Sequence, residues 1–464
     1  MYNVFTFCFK MGMQNISSSS ISRWVPLITQ VRARIFAPDF WARHRRSTCD
    51  FTRKRLLTFP VVMLFLLQKT TKSVQRHLHS FLHELWPQSE DCSATPGGWT
   101  QARAKLSHTA FIELNQEVLL PCFYAPEQAG HRRTWRGHRL LGGDGSLLRL
   151  PSHPDVIDTF GALVVANHLG DTGTRYTPAR LSVLYDLLNH IGLDARLAPV
   201  AEGETDLLAA QLGRVEKNDV LIWDRGFTGF ILMALVLARG AHFVGRCSKS
   251  SFAAAQDLFR ANRAGHSHIV KLVAARDQRA ELKKLGLPCE LIVRFVSLRL
   301  STGELEVLVT SLLQETLYPT RAFLEVYHCR WNHETYHQML KGRLDLENWS
   351  GQTVEAVRQD VQAAVFVSNV ETLLSQQAQE ELSAEDAGRQ YPAQVNRADS
   401  YHALKERMLD LLWSQRPLEK VLQEMQRWMQ SNPVSVRPNR RVPRRPQSFN
   451  RSYHYQRHLR KSVF

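Results

Sequence analysis

"DVLIWDRGFTGFILMALVLARGAHFVGRC", residues 219–247, packs three elements into one short run. Val220 to Trp223 are apolar and strand-forming and lead into Asp224, after which Arg225-Gly226 makes a turn. "FILMALVLARG" then reads as an apolar helix and "AHFVGRC" as another strand. Strands alternating with helices imply an α/β core.

The same pattern extends upstream. "HRLLGGDGSLLRLP" (138–151) reads as strand, tight Gly-Asp-Gly turn, strand, with Asp144 in the turn. "FGALVVANHLG" is strand-like and "EGETDLLAAQLGRVEKN" (202–218) fits a helix. Downstream, "ELIVRFVSLRLSTGELEVLVTSLL" (290–313) alternates and turns at Ser-Thr-Gly, as a β-hairpin does. It marks a β-rich insertion into the core. A long helix is expected from about 320 to 341, and another over "TVEAVRQDVQAAVFVSNVETLLSQQ" (353–377). Residues 51 to about 120 look helical, and "TPGGWTQARAKLSHTAFIELNQEV" (95–118) is a turn feeding a helix that bears Gln101, Arg103 and Lys105. Such a helix suits DNA docking, and suits a helical bundle almost as well.

With 464 residues the chain is long enough for two or three domains, and its net charge of +16 favours a polyanionic partner such as nucleic acid. The basic excess is concentrated at the ends. Residues 1–55 hold ten Lys and Arg against two Asp, and residues 437–464 hold nine with no acid. Ends of this kind can track phosphates, with Tyr453 and Tyr455 placed to stack on bases. Seven cysteines are scattered singly without a C-x-x-C pair, as in proteins of a reducing interior. The longest apolar run, "LLTFPVVMLFLL" (56–67), is too short to span a bilayer. A cytoplasmic protein is the expectation.

"RWNHETYHQMLKGRL" (330–344) carries two overlapping patterns. His333-Glu334-x-x-His337 has the H-E-x-x-H form of zinc peptidases. It lacks an evident third ligand, and Leu340 stands where the extended form of that motif needs glycine. The second pattern is Tyr327, Arg330, Glu334 and Lys341, which on one continuous helix would share an arc of about 60°. One carboxylate among a phenol, a guanidinium and an ammonium suits a metal-assisted phosphate site: the acid holds the cation, and the others hold the phosphodiester. One glutamate cannot hold two metal ions, so partners are needed. Asp144 and Asp224 are the candidates, because strand ends in an α/β sheet converge on one edge.

Taken together, "GGDGS", "LIWDRGF" and Tyr327-x2-Arg330-x3-Glu334-x6-Lys341 resemble the DDE transposases of bacterial insertion sequences, in the branch marked by a Y-R-E-K signature. The resemblance covers roughly residues 51–430. It implies an α/β, RNase H-like catalytic core interrupted by a β-rich insertion, between a helical DNA-binding domain and a helical, basic C-terminal region. The boundaries expected are a basic, disordered arm at 1–50, the helical domain at 51–130, and core segments at 131–247 and 319–375. The insertion occupies 248–318, and the C-terminal region 376–464. By the same resemblance Asp144, Asp224 and Glu334 are the catalytic, metal-binding triad for Mg2+, with Mn2+ as a substitute. Tyr327, Arg330 and Lys341 would bind phosphates near the cleaved end, and Gln101, Arg103 and Lys105 are DNA-binding candidates. The implied partners are double-stranded DNA, as terminal inverted repeats and target, and a second copy in a synaptic dimer. The implied reaction cuts at the repeats and joins the 3′ ends to target DNA. Two other readings stand beside it: a catalytically inactive, transposase-derived DNA-binding protein, and the zinc peptidase.

Overall fold

The computed structural model describes residues 21–53, 55–68, 73–88, 92–165, 174–384 and 390–437. The first twenty residues and nearly all of the basic tail, with Tyr453 and Tyr455, lie outside them.

The strands, in chain order, are β1 (Leu140–Leu150), β2 (Leu163–Val165), β3 (Thr174–Asp186), β4 (Ile191–Pro199), β5 (Val220–Trp223), β6 (His242–Arg246), β7 (Ser267–Val273), β8 (Glu290–Arg299) and β9 (Leu305–Thr310). They form one mixed sheet, ordered β2-β3-β1-β5-β6-β9-β8-β7, with β4 also paired to β3. β1, β3 and β4 make an antiparallel meander. β5 runs parallel to β1, and β6 parallel to β5. The opening stretch is therefore a strand–helix–strand crossover at the middle of the sheet, and β5 is buried at every residue because both faces are covered.

The helices are α1 (Val25–Phe36), α2 (Pro38–His44), α3 (Phe59–Leu67), α4 (Val74–Leu85), α5 (Pro96–Arg103), α6 (Thr109–Glu113), α7 (Leu120–Tyr124), α8 (Pro154–Phe160), α9 (Glu204–Gln211), α10 (Phe230–Ala238), α11 (Ala253–Ala261), α12 (Arg279–Lys284), α13 (Ala322–His328), α14 (Trp331–Gly342), α15 (Val354–Ala384), α16 (Arg397–Leu412) and α17 (Leu418–Ser431). A π-helical segment, Leu114–Leu119, joins α6 to α7. α15 is the spine. Its 31 residues are mostly buried, and it packs on β4, α3, α6 and α17. Asn369, on this helix, accepts from the Gly192 N–H of β4 at 2.7 Å and donates to Asn115 at 2.7 Å. α3 is buried at all nine positions, which accounts for the apolar run at 56–67. Among the described residues no helix is long and apolar enough to cross a membrane.

Four expectations change. Residues 21–50 are not an unstructured arm. α1 and α2 bury Leu27, Ile28, Val31, Ile35 and Phe40, and their charges have partners within the chain. Arg34 and Arg43 bond Glu113 at 2.9 and 2.7 Å, and Arg32 bonds the carbonyls of Asp410 and Leu411. The β-rich segment, expected as an insertion interrupting the core, continues the core's own sheet. Its hairpin turns at Gly303, as expected, but β9 pairs antiparallel with β6 and so extends the main sheet. An open strand edge leaves unpaired N–H and C=O groups, and β9 satisfies those of β6. The glycine-rich stretch at 142–145 is no turn: β1 runs straight through it, with Asp144 opposite Val183. The helix expected over 320–341 is broken into α13 and α14 at Cys329–Arg330, where Arg330, Asn332 and His333 each donate to the carbonyl three residues back.

Candidate active site

Pairing between the parallel strands β1 and β5 ends at Gly142 opposite Ile222. Two residues beyond that pair on each side comes an aspartate, Asp144 still within β1 and Asp224 just past the end of β5. Parallel strands in register thus bring two acids 80 positions apart in sequence to one edge of the sheet. The glycines around Asp144 thin the strand on both faces. A Cβ on Gly142 would lie 2.8 Å from the Leu187 side chain, and one on Gly143 would lie 2.5 Å from that of Leu208 on α9. The first absence makes room for Leu187 against β1, with His333 of α14 beside it.

Glu334 stands in the first turn of α14. Arg330, at its N-cap, is only 7% exposed and points one guanidinium nitrogen at two of the acids. Its Nη1 lies 3.1 Å from Glu334 Oε1 and 3.7 Å from Asp224 Oδ2. The two carboxylates are therefore separated by no more than the sum of those lengths. Asp144 lies in the same field, since Arg330 and Glu334 both act on it. Arg330 stays charged despite burial, because Tyr327, Asp224, Glu334 and Asp144 surround it. Tyr327, at the end of α13, has its hydroxyl 3.5 Å from Asp224 Oδ1 and is held protonated by burial, its pKa pushed up to about 12.

The two aspartates differ in ionisation. Burial dominates at Asp144, outweighing the Gly145 N–H at 2.8 Å and Arg330; Glu204 and Glu334 add repulsion, and its pKa is pushed up to about 6. Burial is also the largest single influence at Asp224, but the Arg225 N–H, Arg330 and Arg246 together bring its pKa below the ordinary value. Burial pushes one carboxyl up while hydrogen bonding and cationic neighbours bring the other down, a divergence typical of functional sites. Three carboxylates offer an all-oxygen donor set of the kind a hard divalent cation prefers. The Arg330 guanidinium, set between two of them, shows where positive charge is wanted. Asp144, Asp224 and Glu334 could supply oxygen ligands to such a cation, although their carboxylate oxygens do not all lie within 4.8 Å of one another.

Of the remaining predicted residues, Lys341 Nζ donates to the Leu147 carbonyl of β1 at 2.6 Å, and burial lowers its pKa. Gln101 is exposed and Lys105 half-buried. Arg103 is not available to DNA. It is 3% exposed and bonds Gln359 at 2.7 Å, Ser350 at 2.6 Å, Asp360 at 2.8 Å and the Ala356 carbonyl at 2.7 Å, all on α15 or the loop before it. A guanidinium with that many internal acceptors is a clasp between helices.

Sequence reasoning missed Arg246 and Glu306. Arg246, at the end of β6, reaches Asp224 at 3.4 Å and is itself bonded by Glu306 of β9. The alternation of "LEVLVT" was the available signal, because it puts Glu306 on a buried strand where an acid needs a cationic partner. The histidines of the H-E-x-x-H pattern, His333 and His337, both lie against Asp144 on β1. A cavity of about 110 Å3 lined by Arg133, His190, Gln376 and Arg397 contains none of the three acids.

With Asp144 inside β1, Asp224 just past β5 and Glu334 on α14, the chain gathers three acids around one guanidinium. It belongs to the transposase DDE domain family, whose profile matches residues 137–370. Among particular relatives, the putative transposase InsZ of Escherichia coli (strain K12) is 29% identical over 108 residues, 23% of this chain. The match spans 35% of that relative's length. The piggyBac transposase in its synaptic complex with hairpin DNA aligns over 97% of this chain and 88% of its own, at 11% identity and a TM-score of 0.40.

Proposed function

We propose that this protein is a DNA transposase that cleaves at the terminal inverted repeats of its insertion sequence and joins the 3′ ends to target DNA. The observation that carries the reading is the meeting of Asp224 and Glu334 on one Arg330 nitrogen, with Asp144 in register beside Asp224. In this reading β1, β3, β4, β5 and β6 form an RNase H-like core, three antiparallel strands continued by two parallel ones. Tyr327, Arg330, Glu334 and Lys341 are the Y-R-E-K signature of its branch.

Asp144, Asp224 and Glu334 would hold Mg2+, with Mn2+ as a substitute. That would supply the positive charge needed to activate the attacking oxygen and stabilise the leaving one in an in-line displacement. The chain's own groups do the rest. Arg330 supplies forked donors to a phosphate oxygen, Tyr327 a neutral hydroxyl donor, and Lys341 a point charge further along α14. Arg246, braced by Glu306, keeps Asp224 ionised and aimed. Hydrolysis and strand transfer use the same geometry, because only the nucleophile changes, water first and a DNA hydroxyl second.

Recognition of the ends falls to the N-terminal helical region, with Gln101 and Lys105 on its surface, and to the basic tail. Two copies pair the two ends. The test is cleavage of DNA carrying the element's ends in Mg2+. Glu334→Gln is expected to lower the rate at least ~100-fold; cleavage equal to the parent's overturns the assignment. Salt-sensitive end binding by the parent, without nicking in Mg2+ or Mn2+, would identify an inactive DNA-binding descendant instead.

A further inference from the structure

The imidazoles that flank Glu334 in sequence face a different way from it. His333 and His337 stack at 4.8 Å between ring centroids, and His333 also stacks on Tyr185 at 5.5 Å. They are 1% and 6% exposed, and apart from the backbone of Val183 near one ring and of Asp144 near the other, their ring nitrogens have no hydrogen-bond partner. Buried nitrogens left this way are costly unless something else engages them. One donor atom from each of His333, His337 and Asp144 lies within 4.8 Å of the others. Gly142 of β1 lies beside the pair, a Cβ there falling 3.4 Å from His333 Nδ1.

The backbone around the rings suits ligation. Val183 lies near His333, and the Asp144 backbone near His337, each favouring an N–H on the ring it faces. That leaves a lone pair on the second nitrogen of each ring, the arrangement in which metal-bound histidines are held. Burial keeps both rings neutral, bringing His337 down to about 4 and His333 well below the ordinary value.

We propose that Asp144, His333 and His337 form a binding site for a borderline divalent cation, with Zn2+ as the preferred occupant. Two imidazole nitrogens and one carboxylate oxygen select zinc-like ions over Mg2+, which wants oxygen alone. Three protein ligands leave one tetrahedral position for water. Zn–N bonds of about 2.0–2.1 Å need donors roughly 3.3 Å apart, so small side-chain rotations close the set. Glu334 is not a member, because Arg330 holds it at 3.1 Å. Asp144 belongs to both sets, so zinc occupancy withdraws it from Asp224 and Glu334 and inhibits cleavage. That consequence rests on the transposase reading; the binding does not.

The test titrates the metal-stripped full chain with Co2+, which absorbs strongly in the visible when bound tetrahedrally by nitrogen and weakly when bound by six oxygens. The parent is expected to give the strong bands, and competing Zn2+ to abolish them. His337→Gln should weaken Zn2+ binding at least ~10-fold, with near-ultraviolet circular dichroism checking the fold. Asp144→Asn, at a partly exposed position, should do the same if the histidine variant fails to fold. Glu334→Gln should lose cleavage yet keep the Co2+ bands. Weak bands in the parent, or bands that vanish with Glu334→Gln and persist in His337→Gln, overturn the site. Cleavage surviving Glu334→Gln with the bands intact overturns only the transposase assignment.

Discussion

Asp144 is charged at neutral pH in a place that resists charge, and this has a measurable sign. Its folded pKa, about 6, lies above the ordinary aspartate value of about 3.9. Protonation therefore favours the folded chain. The penalty is fully present above about 6 and is lost as the pH falls toward 4. Asp144→Asn should raise the melting temperature of the metal-free protein at pH 7.5, and the gain should shrink by pH 4.5 while cleavage stays abolished. A constant gain across that range would place the strain elsewhere. Arg103 gives the opposite kind of case. Arg103→Ala removes the guanidinium from beside buried Asp360, leaving it the Ser350 N–H and hydroxyl, and should cost about 3–5 kcal/mol in urea unfolding. The salt slope of DNA binding in protein that remains folded should not change, because Arg103 touches no phosphate.

At the scale of elements, what could be read from sequence depended on whether the deciding contact was local. Asp224 was legible because strand, turn and helix around it are set by adjacent residues, from Val220 to Ala238. Asp144 was found for a wrong reason. Gly-Asp-Gly looks like a turn, but these glycines answer to Leu187 and Leu208, far away in sequence. The break before α14 was invisible, since Tyr327 to Trp331 contain no proline or glycine. Tertiary contacts hold it: Arg330 turns toward two acids, and Asn332 donates to the Leu187 carbonyl at 2.8 Å. The hairpin at 290–310 was plain, but its neighbour β6 was not, because edge pairing leaves no mark on one strand alone. The glycine result makes a prediction for β1. Gly142→Val should push α14 away, costing about 1–3 kcal/mol of stability, and should depress cleavage further than that loss of folded protein explains. Parallel urea midpoints and cleavage rates separate the two effects.

For the whole molecule, the helices at both ends of the described chain form one body. α1 packs on α16 and α17, Arg23 bonds Glu380 at 3.0 Å, and α3 packs on α15. Removing residues 1–50 takes out Leu27, Ile28, Val31, Ile35 and Phe40, each worth about 1.5–3 kcal/mol when buried. Their sum approaches or exceeds the whole stability of a typical domain, about 5–15 kcal/mol. The shortened chain should show no cooperative urea transition, whereas a freely hanging arm could be cut away without effect.

The spine helix α15 carries this further. Early and late segments both close around it, so a chain cut short before α16 would lack part of the surface that covers α15. Such truncated products should be cleared by proteolysis faster than the full chain, which pulse-chase labelling would measure.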